Sequence, residues 1–110
     1  MAEEENTLYP SRVGSPLITY GQAGNTSVST SSVIIVPFNP NRKYFIVFNN
    51  GTTDAYLSIG SPAVLTAGIV LKAGGGGFEM NLGAGNVSTQ AIYAISSGGG
   101  TTLEYVEGVA

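Results

Sequence analysis

The 110-residue chain has no histidine, no cysteine and no tryptophan, and it is poor in charge of either sign. Without histidine it lacks the one side chain whose unperturbed pKa suits a general base near neutrality, and the commonest metal ligand. Without cysteine there is no thiol nucleophile, no thiolate metal site and no disulfide framework, which fits folding in a reducing cytoplasm. Serines are plentiful, but no histidine can activate one, and no Gly-X-Ser-X-Gly elbow occurs. The basic residues are four, Arg12, Arg42, Lys43 and Lys72, and the net charge is −3. That is too little positive charge to neutralise a run of phosphates, so no nucleic-acid partner is expected. No stretch approaches the ~20 apolar residues of a membrane helix. The acidic start MAEEEN is unlike a secretory signal. The expectation is a chain made in the cytoplasm, with no membrane partner.

The carboxylates give no catalytic pair. Beyond the acidic N-terminus they are Asp54, Glu79, Glu104 and Glu107. Glu104 and Glu107 are an odd number of positions apart, so a regular strand points them to opposite faces. Asp54 reads as a turn cap. The surrounding NNGTTD offers oxygen ligands but too few charges for calcium. Neither an enzyme nor a cofactor is expected. Asn-X-Ser/Thr triplets at Asn25, Asn50 and Asn86 read as chance in an Asn/Ser/Thr-rich chain.

One stretch imitates a phosphate site. In VLKAGGGGFEM, Lys72 stands beside Gly74, Gly75, Gly76 and Gly77. A phosphate loop places its lysine after the glycines, at the start of a helix. Here the lysine precedes them, and Phe78-Glu79-Met80 begins another strand. The glycines therefore read as a long hairpin connection, mobile alone or pinned as a contact by a neighbouring subunit.

What is present is β-structure. From Val33 onward short segments follow one another: 33–38, 42–48, 54–59, 63–73, 78–82, 89–96 and 101–108. They are rich in β-branched and aromatic residues, and glycine, proline or asparagine separates them. The reading is all-β, a small antiparallel β-sandwich or barrel of about seven strands with an extended N-terminal arm. Segments 42–48 and 54–59, joined through NNGTT, read as a hairpin. Gly68 reads as a bulge or bend.

Residues 1–32 form the arm and 33–110 the domain. Proline and glycine at positions 10, 14, 16, 21 and 24 deny the arm a helix. Leu8, Tyr9, Val13, Leu17, Ile18 and Tyr20 are too apolar for a purely solvating tail. The segment reads either as a frayed terminus or as an arm whose anchors order against a neighbouring subunit. In 42–48 both faces are apolar: Tyr44, Ile46 and Phe48 on one, Phe45 and Val47 on the other. Charged residues make up only 10% of the chain, against about 25% in ordinary domains. A strand apolar on both sides is either central in a two-layer core or presents its second face to another subunit. With charge this low, a homo-oligomer or another protein partner is expected.

The stretch RKYFIVFNNGTTDAYLSIGSPAVLTAGIVLKAGGGGFEMNL, with the later IYAISSGGGTTLEYVEG, resembles the small all-β virion structural proteins of tailed bacteriophages. The likeness runs over about residues 34–108 and rests on strands and turns, with no catalytic or metal motif. It implies a structural subunit present in many copies, made in the bacterial host cytoplasm and located in the virion. Head decoration (cement), head-fibre bases and small tail components all belong to this group. The implied partner is the major capsid protein or another virion protein, with neighbouring capsomers bridged by the decorating chain. The rival reading is a tail or receptor-binding β-sandwich that stacks glycans on exposed tyrosines, with Tyr56, Tyr93 and Tyr105 as candidates.

Overall fold

The computed structural model describes residues 20–99 and 101–109, whose regular structure is entirely β-strand. Eight strands follow in chain order: β1 (Tyr20–Val28), β2 (Val33–Val36), β3 (Arg42–Asn49) and β4 (Ala55–Ile59), then β5 (Ile69–Leu71), β6 (Gly77–Met80), β7 (Ile92–Ser96) and β8 (Thr101–Val109). They make two four-stranded sheets, ordered β1-β8-β3-β6 and β2-β7-β4-β5. Every pairing is antiparallel.

The period of two along each strand divides core from surface. Phe45 and Val47 of β3 are fully buried, while Ile46 and Phe48 turn to the other face. On β4, Ala55 and Leu57 are buried and Tyr56 and Ser58 turn away. Both sheets feed one apolar cluster: Phe45, Met80 and Leu103 from the first, Leu57, Leu71 and Ile92 from the second. Each large side chain so buried contributes about 1.5–3 kcal/mol.

Two connections differ from the sequence reading. Segments 42–48 and 54–59 are not a hairpin, because β3 and β4 lie in different sheets. The glycine run is not a hairpin either, since β5 and β6 also belong to different sheets. A five-residue glycine loop signals a reversal equally well at a hairpin and at a corner between sheets. Only β4 and β5, consecutive in sequence, are also paired in space. The predicted strand 63–73 contracts to Ile69–Leu71, with turns and bends ahead of it. Gly68 closes that turn at φ 91°, where an added Cβ would lie 2.4 Å from the Leu57 carbonyl oxygen.

The strand count rises from about seven to eight through β1, which falls inside the 1–32 segment assigned to the arm. β1 pairs with β8 over nine residues, from Tyr20↔Val109 to Val28↔Thr101. Its sequence, YGQAGNTSV, has little apolar alternation, and only Val28 enters the core. The signal sits on the partner strand. Gly24 lies opposite Tyr105, whose ring fills the space of the missing side chain and packs 6.0 Å from the Phe45 ring.

One charged side chain is built into the interior. Arg42, at the start of β3, is fully buried, and its Nε donates to Glu107 Oε2 at 2.7 Å. Nη1 donates to the carbonyls of Ser88 and Gln90 at 2.7 and 2.8 Å, and Nη2 to that of Pro37 at 2.9 Å. The guanidinium thus fastens the β2–β3 and β6–β7 connections to β8. A charge this deep is tolerated because its hydrogen bonds and its counter-ion are both supplied.

Candidate interaction surface

The glycine run is held by its own chain. Asn49, at the end of β3, is fully buried, and its Nδ2 donates to the carbonyls of Thr53 and Leu71 at 2.8 and 2.9 Å. Its Oδ1 accepts the Gly51 N–H at 2.9 Å. Its backbone N–H donates to the Gly76 carbonyl at 2.8 Å and its carbonyl accepts the Gly75 N–H at 2.7 Å. The Gly74 N–H reaches the Gly51 carbonyl at 3.1 Å. The two sheet-to-sheet connections are therefore laced together around one amide. Gly76 has the tightest constraint, since an added Cβ would lie 2.3 Å from the Lys72 backbone nitrogen.

Lys72 does not point at these glycines as an anion ligand. Its Nζ donates to Asp54 Oδ2 at 2.9 Å, and the Ala73 N–H donates to Asp54 Oδ1 at 3.0 Å. The Ala73 amide and then the ammonium hold the Asp54 carboxyl below its usual range, and the Asp54 bond holds the Lys72 ammonium above its own. Asp54 thus caps the turn that follows β5, not the hairpin rim at which the sequence placed it.

Three hydroxyls meet near the same end of the molecule: Thr53 shares hydrogen bonds with Ser96, at 2.7 Å, and with Thr101. Thr101 Oγ1 also donates to the Thr53 carbonyl at 3.0 Å. Among the described residues their partners are one another and backbone groups, so they close a polar corner. Glu104 and Glu107 face opposite ways: Glu107 turns to Arg42, and Glu104 accepts from Asn50 Nδ2 at 2.9 Å. Among the described residues no three acidic side chains gather where a metal ion could sit.

The solvent-facing sides of the sheets carry the distinctive chemistry. On the first sheet, cross-strand registers set Ala23, Val106 and Ile46 abreast, and Asn25, Glu104 and Phe48 in the next row. Residues of β1, β3 and β8 enclose an open groove of about 490 Å³ over these rows. The Phe48 ring lies across Gly77, its partner on β6, where an added Cβ would be 2.6 Å from the ring. Beside Ile46 stands Glu79, whose Oε2 accepts the Tyr44 hydroxyl at 2.7 Å. That bond, then burial, pushes the Tyr44 phenol up.

On the second sheet Ile34 pairs with Tyr93, and Tyr56 lies between Ile95 and Val70. Both outward faces leave large apolar side chains in water: Ile34 50%, Val70 46%, Phe48 46% and Val106 38% exposed. Sequence reasoning found the two-sided β3 but missed these rows, because register between strands far apart in sequence decides which residues become neighbours.

Of the candidate anchors, Leu8, Tyr9, Val13, Leu17 and Ile18 lie outside the described residues, and Tyr20 opens β1. Of the candidate sugar platforms, Tyr56 and Tyr93 share the outward face of the second sheet, whereas Tyr105 packs toward the core. No protein-family model matches this chain, and no curated protein matches it.

Proposed function

We propose that this chain is a structural subunit of a tailed-phage virion that decorates the assembled head and bridges neighbouring capsomers. The observation that supports this reading is the pair of outward sheet faces, each exposing large apolar side chains. Monomeric proteins seldom leave contiguous apolar area exposed without a use for it. The strand orders β1-β8-β3-β6 and β2-β7-β4-β5 follow the double Greek key of a jelly-roll sandwich. That architecture serves viral capsid domains, lectins and cupins alike, so it supports the reading only by analogy.

The mechanism is burial of these faces against the shell, with pairing along the β1 edge, which no described strand covers. β1 is an edge strand of nine residues carrying neither charge nor proline, the usual guards against pairing with another chain. Repetition over a lattice converts modest single contacts into strong avidity. The N-terminal segment docks through the anchors Leu8, Tyr9, Val13, Leu17, Ile18 and Tyr20. Mixed with assembled shells, the protein is expected to co-sediment in a fixed ratio; failure to co-sediment would remove the head-decoration reading.

A second reading has its own support. Tyr56 and Tyr93 lie on one exposed face, and an aromatic ring, Phe48, borders the groove beside Glu104 and Asn25. Those are the components of a glycan platform. A glycan array separates the two: silence favours the structural role, and selective binding lost in Tyr56→Ala or Phe48→Ala favours the lectin.

A further inference from the structure

The sequence holds a single Asn-Gly step, Asn50-Gly51, in the corner between β3 and β4. An asparagine side-chain amide is open to attack by the backbone nitrogen of the next residue, and a Cβ on that residue hinders the approach. After the other asparagines the next residue carries a side chain, as Thr26, Leu82 and Val87 do, or is Pro40, which has no N–H. Asn49 is buried, whereas Asn50 is exposed to water, and Gly51 lies in a bend outside the strand ladder.

The fold itself demands that glycine. A Cβ at Gly51 would lie 2.7 Å from the Thr101 Cα, so the corner cannot shed the Asn-Gly step by enlarging position 51. Two contacts restrain the reacting groups instead. The Gly51 N–H donates to Asn49 Oδ1 at 2.9 Å, and Asn50 Nδ2 donates to Glu104 Oε2 at 2.9 Å. Attack requires the Gly51 nitrogen to lose its proton and places an oxyanion on the Asn50 side chain. The Glu104 charge beside that side chain opposes both steps.

We propose that Asn50 is a site of spontaneous deamidation, restrained by the charge of Glu104. The Gly51 nitrogen, its proton taken by hydroxide, bonds to Asn50 Cγ, and Nδ2 leaves as ammonia with a proton from water. Water then opens the resulting imide at either carbonyl, leaving aspartate or isoaspartate at position 50. Either product sets a carboxylate against Glu104 where an amide had donated to it, so attraction becomes repulsion. Isoaspartate also adds a carbon to the main chain between two tied groups. These are the Asn50 N–H, which donates to the Thr102 carbonyl at 2.9 Å, and the Gly51 carbonyl, which accepts the Gly74 N–H at 3.1 Å. Conversion therefore loosens the corner from β8 and from the glycine run, and the chain carries a built-in ageing site where its sheet-to-sheet connections are laced.

The test is timed incubation of the full chain in mildly alkaline buffer, with peptide mass spectrometry locating each amide-to-acid conversion. Asn50 is expected to convert ahead of every other asparagine, and Asn50→Gln to remove that leading conversion. Glu104→Gln keeps an acceptor for Asn50 Nδ2 but removes the charge. It is expected to quicken conversion about fivefold, the factor that a unit charge some 4 Å away gives in a water-like medium. In urea, where Glu104 no longer faces Asn50, wild type and Glu104→Gln should convert at the same rate. Another asparagine converting first overturns the proposal. So does a folded Glu104→Gln chain that converts no faster than wild type, or a difference between the two that persists in urea.

Discussion

Arg42→Met removes the buried guanidinium while keeping much of its length. The variant leaves the carbonyls of Pro37, Ser88 and Gln90 without their donor. It also strands the Glu107 carboxylate, whose side chain is only 14% exposed. Breaking a buried pair from one side costs about 3–5 kcal/mol, because the surviving charge keeps its desolvation penalty. A domain of this size has roughly 5–15 kcal/mol in total, so the loss is a large fraction of it. With a urea m value of about 1.5 kcal/mol/M, the midpoint should fall by roughly 2–3 M. Circular dichroism during urea titration measures this, and an unchanged m value shows that the midpoint shift is a change in stability. Adding Glu107→Leu to the same chain should restore a substantial part of the midpoint, since the stranded charge is then gone. A midpoint shift below about 0.5 M for Arg42→Met would refute the reasoning. Strictly additive single and double variants would refute it too.

The remaining predictions concern the laced connections and the exposed pair. Asn49→Ala removes the side-chain donor to the Leu71 carbonyl and the acceptor for the Gly51 N–H, while the Thr53 carbonyl keeps only its bond from Thr101 Oγ1. The expected cost is about 2–4 kcal/mol by the same titration. Gly76→Ala should be far more damaging than Gly74→Ala, although the two glycines are near neighbours. At Gly76 a Cβ meets the Lys72 backbone at 2.3 Å; at Gly74 it meets open space, and only the φ of 79° opposes it. That strain is about 1–2 kcal/mol. Because the folded Asp54 carboxyl is held below its usual range, its contribution is present above the ordinary carboxylate pKa and is lost as pH falls through the folded value. Asp54→Asn should therefore flatten part of the acid limb of a stability–pH curve and leave its shape near neutrality unchanged. The effect should be small and should shrink further in salt, since the Lys72 partner is largely exposed.

Much of the fold is legible in alternation and punctuation. Pro37, Gly51 and the GAGNV and SGGG spacers divide the strands close to where the structure divides them. Sheet membership is less legible. The NNGTT corner carries the residues of a hairpin, and what sends β4 to the other sheet includes the burial of Asn49, whose partners Thr53 and Leu71 lie on separate segments. β1 is hidden for a related reason. Its glycines look like a linker until Tyr105, 81 positions after Gly24, is seen to fill the space they leave. Arg42 reads in sequence only as one of few cations, because its counter-ion Glu107 is 65 residues away. At the surface, the alternation of β3 groups Ile46 with Phe48, but with both faces apolar it does not say which face is outward. Nothing local places Glu104, Asn25 and Val106 beside them; only the β8 register does.

The central claim, that the outward faces of this fold dock on a viral shell, is tested most directly by a co-sedimentation isotherm with assembled heads. Wild type should saturate at a fixed ratio to the shell subunit. Val70→Asp and Phe48→Asp, each placing a charge on an exposed apolar face, should lower the affinity of the chain without unfolding it. A chain that never saturates the shell, or one whose binding ignores both substitutions, would contradict the claim.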